Sequence, residues 1–505
     1  MIAAPPAPAT RNGALALAVI CVAQLMVVLD ATVVNVALPS IKADLGFSND
    51  SLTWIITAYS LAFGGLLLFG GRTGDLFGRR RMFMIGIAIF SIASLVGGFA
   101  TGEAMLIIAR GAQGAGGAIA APTALALLAT TFTEPAARAR AFGVFAAMAA
   151  SGGALGLLLG GTLTDYASWR WALFINAPIG LAVILLAPRV LNESQGSGTK
   201  LDLPGAITAT AGMSTLVYGL TKASTDGWGS TTTIATLAIA AALLIAFIII
   251  ERVSSHPLLP FHILGDRNRS GSYLIMLFLA AALFATFFFL TQYLQLVQGW
   301  SPVKTGVGFL PMPVTIMFMS IVVVRRLVPK IGIRPFLTVG PILAIAAMVA
   351  FTRLDAGSGY PAFLGSVLLL GIGMGCSFVP LTMTAVNGVA PYETGIASAL
   401  LNTGQQIGGA IGLATLGTIA NHANTGRLHD LAQSGKPSPA DVVSAFIHGQ
   451  QAAFDGAVVV AGLALLASLV FLRVNKVSPP SPGGRSSSQP PSSGEVAEAR
   501  EVAAR

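Results

Sequence analysis

The chain has 505 residues, 54% hydrophobic and only 10% charged, with a mean hydropathy of +0.78. A soluble globular chain carries about 25% charged residues, so the composition excludes a water-soluble enzyme and points to a polytopic membrane protein. The net charge of +9 then reflects short loops between apolar segments and not a nucleic-acid-binding face.

A helix needs about 20 mostly apolar residues to cross the hydrocarbon core. Fourteen runs meet that need, at roughly 14–38, 52–71, 82–100, 104–131, 138–162, 171–189, 204–221, 232–250, 271–296, 304–327, 335–352, 361–386, 395–419 and 452–473. With the N-terminus inside, the inside loops carry fifteen Lys and Arg and the outside loops seven. Basic residues favour the cytoplasmic side, so both termini are predicted to be cytoplasmic. The first run is of spanning length and no small-residue cleavage site follows it, so no cleaved signal peptide is expected.

The first run carries Asp30 within VVLDATVVNVALPSI, Val27 to Ile41, with Asn35 five residues further on. Between the second and third runs lies GGRTGDLFGRRR, Gly70 to Arg81. Asp75 is the one acid there among Arg72, Arg79, Arg80 and Arg81, so it is expected to pair, and Gly78 suits a tight turn with positive φ. The fourth run contains ARGAQGAGGAIAAPT, Ala109 to Thr123, with Arg110 and Gln113. Asp30 and Arg110 are the two charges well inside the predicted membrane, where each costs at least about 2.5–3.5 kcal/mol by insertion scales. Either they pair and serve packing, or they handle protons. Burial favours a neutral carboxyl and a nearby cation favours an ionised one, and a carboxyl balanced between the two can load and release a proton.

In the fifth run, SGGALGLLLGG, the residues Gly152, Gly156 and Gly160 recur every four residues, and Gly404, Gly408 and Gly412 do so in NTGQQIGGAIGLA of the thirteenth. Small residues at this spacing share one face and let helices approach closely in lipid. The link from the fifth run to the sixth reads WRWALFINAPIG, Trp169 to Gly180. In the ninth run Phe284, Phe288 and Gln292 share a face, with Gln295 close to it. Such a face either meets lipid or lines a pocket for a bulky amphiphile. Asn35, Gln113, Asn402, Gln405 and Gln406 are further candidates for a polar lining. No acid lies near the middle of the ninth to fourteenth runs, so neutral or singly charged hydrophobic compounds are favoured as substrates.

Other classes leave little trace. The histidines His256, His262, His422, His429 and His448 lie in loops without metal-ligand spacing. Cys21 and Cys376 sit in apolar runs as small core residues. A Walker-type phosphate loop is absent, and so is a channel filter motif.

An internal repeat is also visible. LGFSND at Leu45 matches QGWSPV at Gln298 with an offset of 253. Arg72, Gly78 and Arg80 match Arg326, Gly332 and Arg334 at 254, and the two glycine triplets match at 252. Pro329 stands where Asp75 stands in the first copy. The predicted organisation is a tail at 1–13, six helices at 14–189, two inserted helices at 190–270, six helices at 271–473 and a disordered tail at 474–505. Parallel halves of this kind place a substrate site at their interface.

Taken together, the Gly70–Arg81 loop, the first-run motif with Asp30, Asn35 and Pro39, the fourth- and fifth-run motifs, the WRW segment and the thirteenth-run glycines resemble the fourteen-helix drug:proton antiporters of the major facilitator superfamily. The resemblance covers nearly the whole chain. It implies an all-α membrane protein, a major-facilitator-type bundle of two six-helix halves plus two inserted helices. It implies export of hydrophobic drugs or antibiotics across a bacterial cytoplasmic membrane by alternating access, driven by the proton gradient with no cofactor. Asp30 and Arg110 would take part in proton coupling. Arg72, Asp75, Gly78, Arg79 and Arg80 would form a conformational latch, and Gly152, Gly156, Gly160 and Gly161 the antiport motif. This chain has Leu157 where that motif usually has proline. The partners implied are the lipid bilayer, protons and a small hydrophobic substrate, without nucleic acid, and the oligomeric state is left open, a monomer being compatible. A dedicated exporter of a self-made metabolite, an importer and a polytopic membrane enzyme are the alternatives.

Overall fold

A computed structural model describes residues 13–472 apart from 48, 53, 195–201, 256, 391–392 and 434–437. The predicted tails at 1–12 and 474–505, and the side chains of Leu157 and Pro329, lie outside the described residues. Every regular element among the described residues is helical. The long helices are α1 (Gly13–Leu45), α2 (Trp54–Phe77), α3 (Arg79–Gly98), α4 (Glu103–Thr131), α5 (Pro135–Tyr166), α6 (Trp171–Val190) and α7 (Leu203–Asp226). They continue as α8 (Thr231–Val253), α9 (Arg267–Val297), α10 (Val303–Val322), α11 (Arg334–Phe351), α12 (Tyr360–Val386), α13 (Thr394–Gln433) and α14 (Pro439–Phe471).

Each predicted run thus falls on a helix. Among the described residues, eleven of these helices are long and apolar enough to cross a membrane, or twelve with the bent α5 taken as one span, which leaves the count of fourteen unconfirmed. The other two are α7 and α13. Thr, Ser, Gly and Lys dilute α7, and the second half of α13 is polar, with Asn421, His422, Asn424, Arg427, His429 and Asp430. His422, His429 and His448, expected in loops, lie on helices instead, because α13 runs on to Gln433 and α14 begins at Pro439. No proline interrupts α13, which runs for 40 residues. α14 starts at a capping box, in which Asp441 N donates to Ser438 Oγ (3.2 Å) and Ser438 N donates to Asp441 Oδ2 (2.8 Å).

Two glycine seams organise the packing. On α5, a Cβ added to Gly152 would overlap Val28, and one on Gly156 would collide with Thr32 Oγ1 of α1. Thr32 Oγ1 donates to Gly152 O across this seam (3.2 Å). On α13, a Cβ added to Gly408 or Gly412 would collide with the carbonyl oxygen of Leu277 or Ala281 of α9. Gly160 packs likewise on Val33, and Gly161 is buried beside it. Two more repeat positions agree in conformation. Gly78 and Gly332 have φ of 97° and 81°, and Gly46 and Gly299 have 73° and 65°, values open to glycine and strained for other residues. Between the early and late helices, α2 and α4 pack on α13, and α5 packs on α10 and α12. α7 packs on both α2 and α13.

Candidate functional site

The deepest polar cluster is built around Asp30. Its elements are α1, α2, α3, α4 and α6, apolar helices that each bring one or two polar side chains inward. Asp30 is 1% exposed and Arg110 2%. Arg110 Nη1 donates to Asp30 Oδ2 in a direct ion pair. Gln113 Nε2 (2.7 Å) and Asn176 Nδ2 (2.9 Å) both donate to Asp30 Oδ1. Arg110 is held in turn by Ile55 O, which accepts from Nε (3.2 Å), and by Gln113 Oε1, which accepts from Nη1 (2.8 Å). Its guanidinium lies over the Tyr59 ring, 4.4 Å from the centroid, a favourable placement for a desolvated cation. Asn176 Nδ2 also donates to Ser94 Oγ (3.0 Å), which donates to Leu173 O (2.8 Å). A buried charge is tolerated when paired and hydrogen-bonded, and Asp30 meets that condition on both oxygens.

A second buried acid sits at the end of the bundle that carries Arg79–Arg81, here the basic end. Asp75 Oδ1 accepts from Arg79 Nε (3.2 Å) and Nη2 (2.8 Å). The same carboxylate accepts from the backbone of α13, Gly395 N on Oδ1 and Ile396 N on Oδ2, each at 3.0 Å. These are first-turn N–H groups without an intrahelical partner, where an anion is favoured. A Cβ added to Gly71 or Gly395 would strike the facing chain, so α2 and α13 touch backbone to backbone here. Arg80 and Arg81 point elsewhere. Glu193 Oε1 and Oε2 accept from the backbone N–H of Arg80 (3.1 Å) and Arg81 (3.0 Å), capping α3. Arg80 Nη1 donates to Leu191 O (3.1 Å). Arg72 is buried.

The WRW segment ties the opposite end. Trp169 Nε1 and Arg170 Nη2 both donate to Asp44 Oδ2 at 3.0 Å, and Arg170 Nη1 donates to Gly98 O (3.0 Å) and Ala100 O (2.7 Å). Of the residues expected to line a cavity, Asn35, Phe284 and Phe288 are exposed, Phe288 by 48%. Gln292, Gln295, Asn402, Gln405 and Gln406 are half-buried. Gln113 is not in this group, because it is fully buried and engaged with Asp30 and Arg110.

The sequence pattern that defines the Major Facilitator Superfamily matches residues 20–413. The chain belongs to the Major Facilitator Superfamily. Among curated members of this superfamily, the puromycin resistance protein of Streptomyces alboniger is 44% identical over 461 residues, covering 90% of each chain. The cephamycin export protein of Amycolatopsis lactamdurans is 40% identical over 84% of this chain and 88% of its own. The tetracenomycin C resistance and export protein of Streptomyces glaucescens is 30% identical over 91% of each. The human organic anion transporter TETRAN shares the fold, with a TM-score of 0.63 at 15% identity, over 93% of this chain and all of its own.

In this facilitator, sequence reasoning paired Asp30 with Arg110 only as an open possibility and missed Tyr59, Ser94, Asn176 and Glu193. Asn176 carried a usable signal, a lone amide in an apolar run, like Asp30 itself. Ser94 and Tyr59 carried none, since single hydroxyls in spanning helices usually bond to their own backbone.

Proposed function

We propose that this facilitator exports hydrophobic drugs or antibiotics across the bacterial cytoplasmic membrane in exchange for protons. The relatives named for antibiotic resistance or export support the direction and the substrate class. The observation that carries the proton coupling is the Asp30 cluster. Asp30 is a pure acceptor there, with Arg110, Gln113 and Asn176 all donating to it. A proton on either oxygen places a hydroxyl against a donor and loosens α1 from α4 and α6. A positive charge crossing 100 mV gains about 2.3 kcal/mol, enough to bias one such rearrangement per cycle without a cofactor.

Alternating access supplies the rest of the cycle, with two six-helix halves rocking on each other and the inserted pair α7 and α8 beside them. The repeated glycine seams and left-handed glycines support that division. Asp75, with Arg79 and the turn at Gly78, is the latch. By holding the start of α13 it closes the basic end, which is the cytoplasmic side if the excess of basic loops faces inward. Asn35, Phe284, Phe288, Gln292 and Gln295, with the amides of α13, line the substrate cleft.

The test is substrate uptake into energised inverted vesicles with and without a protonophore, for the wild type and Asp30→Asn. Uptake that collapses in both cases supports antiport. Protonophore-resistant uptake, or full activity in the variant, refutes it. A second reading, a dedicated exporter of one self-made compound, is favoured by relatives named for a single antibiotic each. Transport of one compound from a broad panel of dyes and antibiotics would select it.

A further inference from the structure

The inserted hairpin of α7 and α8 has no part in the transport scheme above, yet its base holds buried charge. Asp202 caps α7, with Gly205 N donating to its Oδ1 (2.9 Å). Glu251, in the last turn of α8, accepts from Leu258 N on Oε1 (3.1 Å) and from Leu259 N on Oε2 (2.8 Å). Asp202 is 8% exposed and Glu251 3%. The two carboxylates converge on Gly205, where an added Cβ would lie 2.5 Å from Glu251 Oε1 and 2.9 Å from Asp202 Oδ2. A glycine is needed at that point because the acids occupy the space. Among the described residues, Asp202 Oδ2 is buried with no hydrogen-bond partner. Arg72 lies on α2, which packs on α7, three residues before the latch acid, and is itself 8% exposed.

Two neighbouring buried carboxylates resist ionising together, and their protons belong to the pair. A buried carboxylate oxygen with no donor is costly, and a proton shared between Asp202 Oδ2 and Glu251 removes that cost. We infer that Asp202 and Glu251 form a second proton-holding site, separate from Asp30, and that Arg72 is the charge that responds to its occupancy. With one proton bound, the pair carries a single negative charge opposite one guanidinium. When the proton leaves to water at the basic end, two negative charges face Arg72 and draw α2 toward the base of the hairpin. This gives the inserted helices a role, in which their protonation state biases the helix that carries the latch.

The test is infrared difference spectroscopy of the full chain in lipid nanodiscs, titrated with pH in H2O and D2O. It reads the C=O stretch of protonated carboxyls and requires no transport, so its failure is distinct from failure of the antiport reading. Asp30→Asn removes the first site from the signal. In that background a pH-dependent carboxyl band is expected to remain. It should disappear when Asp202→Asn or Glu251→Gln is added and survive Asp75→Asn. Absence of the band, or its survival in both hairpin variants, overturns the proposal. If the hairpin variants do not fold, Arg72→Ala decides with both acids in place. Removing the cation favours the protonated pair, so the band should persist to higher pH, and an unchanged midpoint overturns the proposal.

Discussion

Asp30 and Asp75 are both buried carboxylates beside an arginine, but their remaining partners differ in kind. Asp30 is held by side chains alone, from α4 and α6. Asp75 is held by Arg79 one turn away and by two backbone N–H groups of α13, 320 and 321 residues further along the chain. A side-chain donor can turn away through a rotamer change while its helix stays in place. A backbone N–H leaves only if the helix moves. The first arrangement suits a group that changes its bonding with each proton, and the second suits one that holds or releases a whole half of the bundle.

The largest effect should follow from Asp30→Asn. The variant keeps the shape but replaces the carboxylate with an uncharged amide, so proton-driven uptake in inverted vesicles is expected to fall to background. Removing one partner of a buried ion pair typically costs about 3–5 kcal/mol, so the thermal unfolding midpoint should drop as well while the protein still inserts. Wild-type uptake in this variant would place the proton site elsewhere.

Asp75→Ala comes next. It removes the anion from the start of α13 and from beside Arg79, and export is expected to fall by about tenfold or more, using about 1.4 kcal/mol per decade for a loss of this kind. The sharper readout is structural. Ser398, fully buried on the first turns of α13, replaced by Cys in a background lacking Cys21 and Cys376, should react faster with a thiol reagent when Asp75 is absent. An unchanged labelling rate would mean that Asp75 does not hold the basic end closed, and the contrast with Asp30 would collapse.

Asn176→Ala should be intermediate. Asp30 keeps Arg110 and Gln113, and Ser94 loses a donor. A hydrogen bond to a charged group contributes about 1.5–3 kcal/mol, so export should decline several-fold without vanishing. A loss as large as that of Asp30→Asn would make Asn176 a principal member of the site.

The comparison also marks what the sequence reveals. Apolar runs reveal helices because a membrane span has a length requirement, and charges inside such runs stand out because each is costly there. Asp30 and Arg110 were therefore visible, and Asp75 stood out as the one acid among the arginines of Gly70–Arg81. The partners of Asp75 were not, because a backbone N–H has no letter, and nothing in TGIAS at 394–398 announces that its first turn binds an acid. Asn176 lies 146 residues from Asp30, a distance that no local pattern spans. α7 and α13 resemble spans in alternation and length but fall short in apolar content, because both spend part of their surface on polar residues. The convergence of Asp202 and Glu251 was hidden for another reason, since each lies at a helix end, where an acid looks like an ordinary cap or a solvated charge.

The smallest effect is reserved for Arg81→Ala, and it tests whether the latch is a geometry or a generic cluster of positive charge. The Arg81 side chain is exposed, and the group that matters, its backbone N–H to Glu193, survives the substitution. A surface change of this sort is usually within about 0.5 kcal/mol of neutral, so export and Ser398→Cys labelling should stay near wild type. Arg80→Ala should fall between Arg81 and Asp75, because Arg80 bonds to the Leu191 carbonyl and pairs with Glu193 at 3.5 Å. If Arg81→Ala instead matched Asp75→Ala, the loop would act through its summed charge. The two 3.0 Å bonds from α13 to Asp75 would then be a consequence of closure and not its cause.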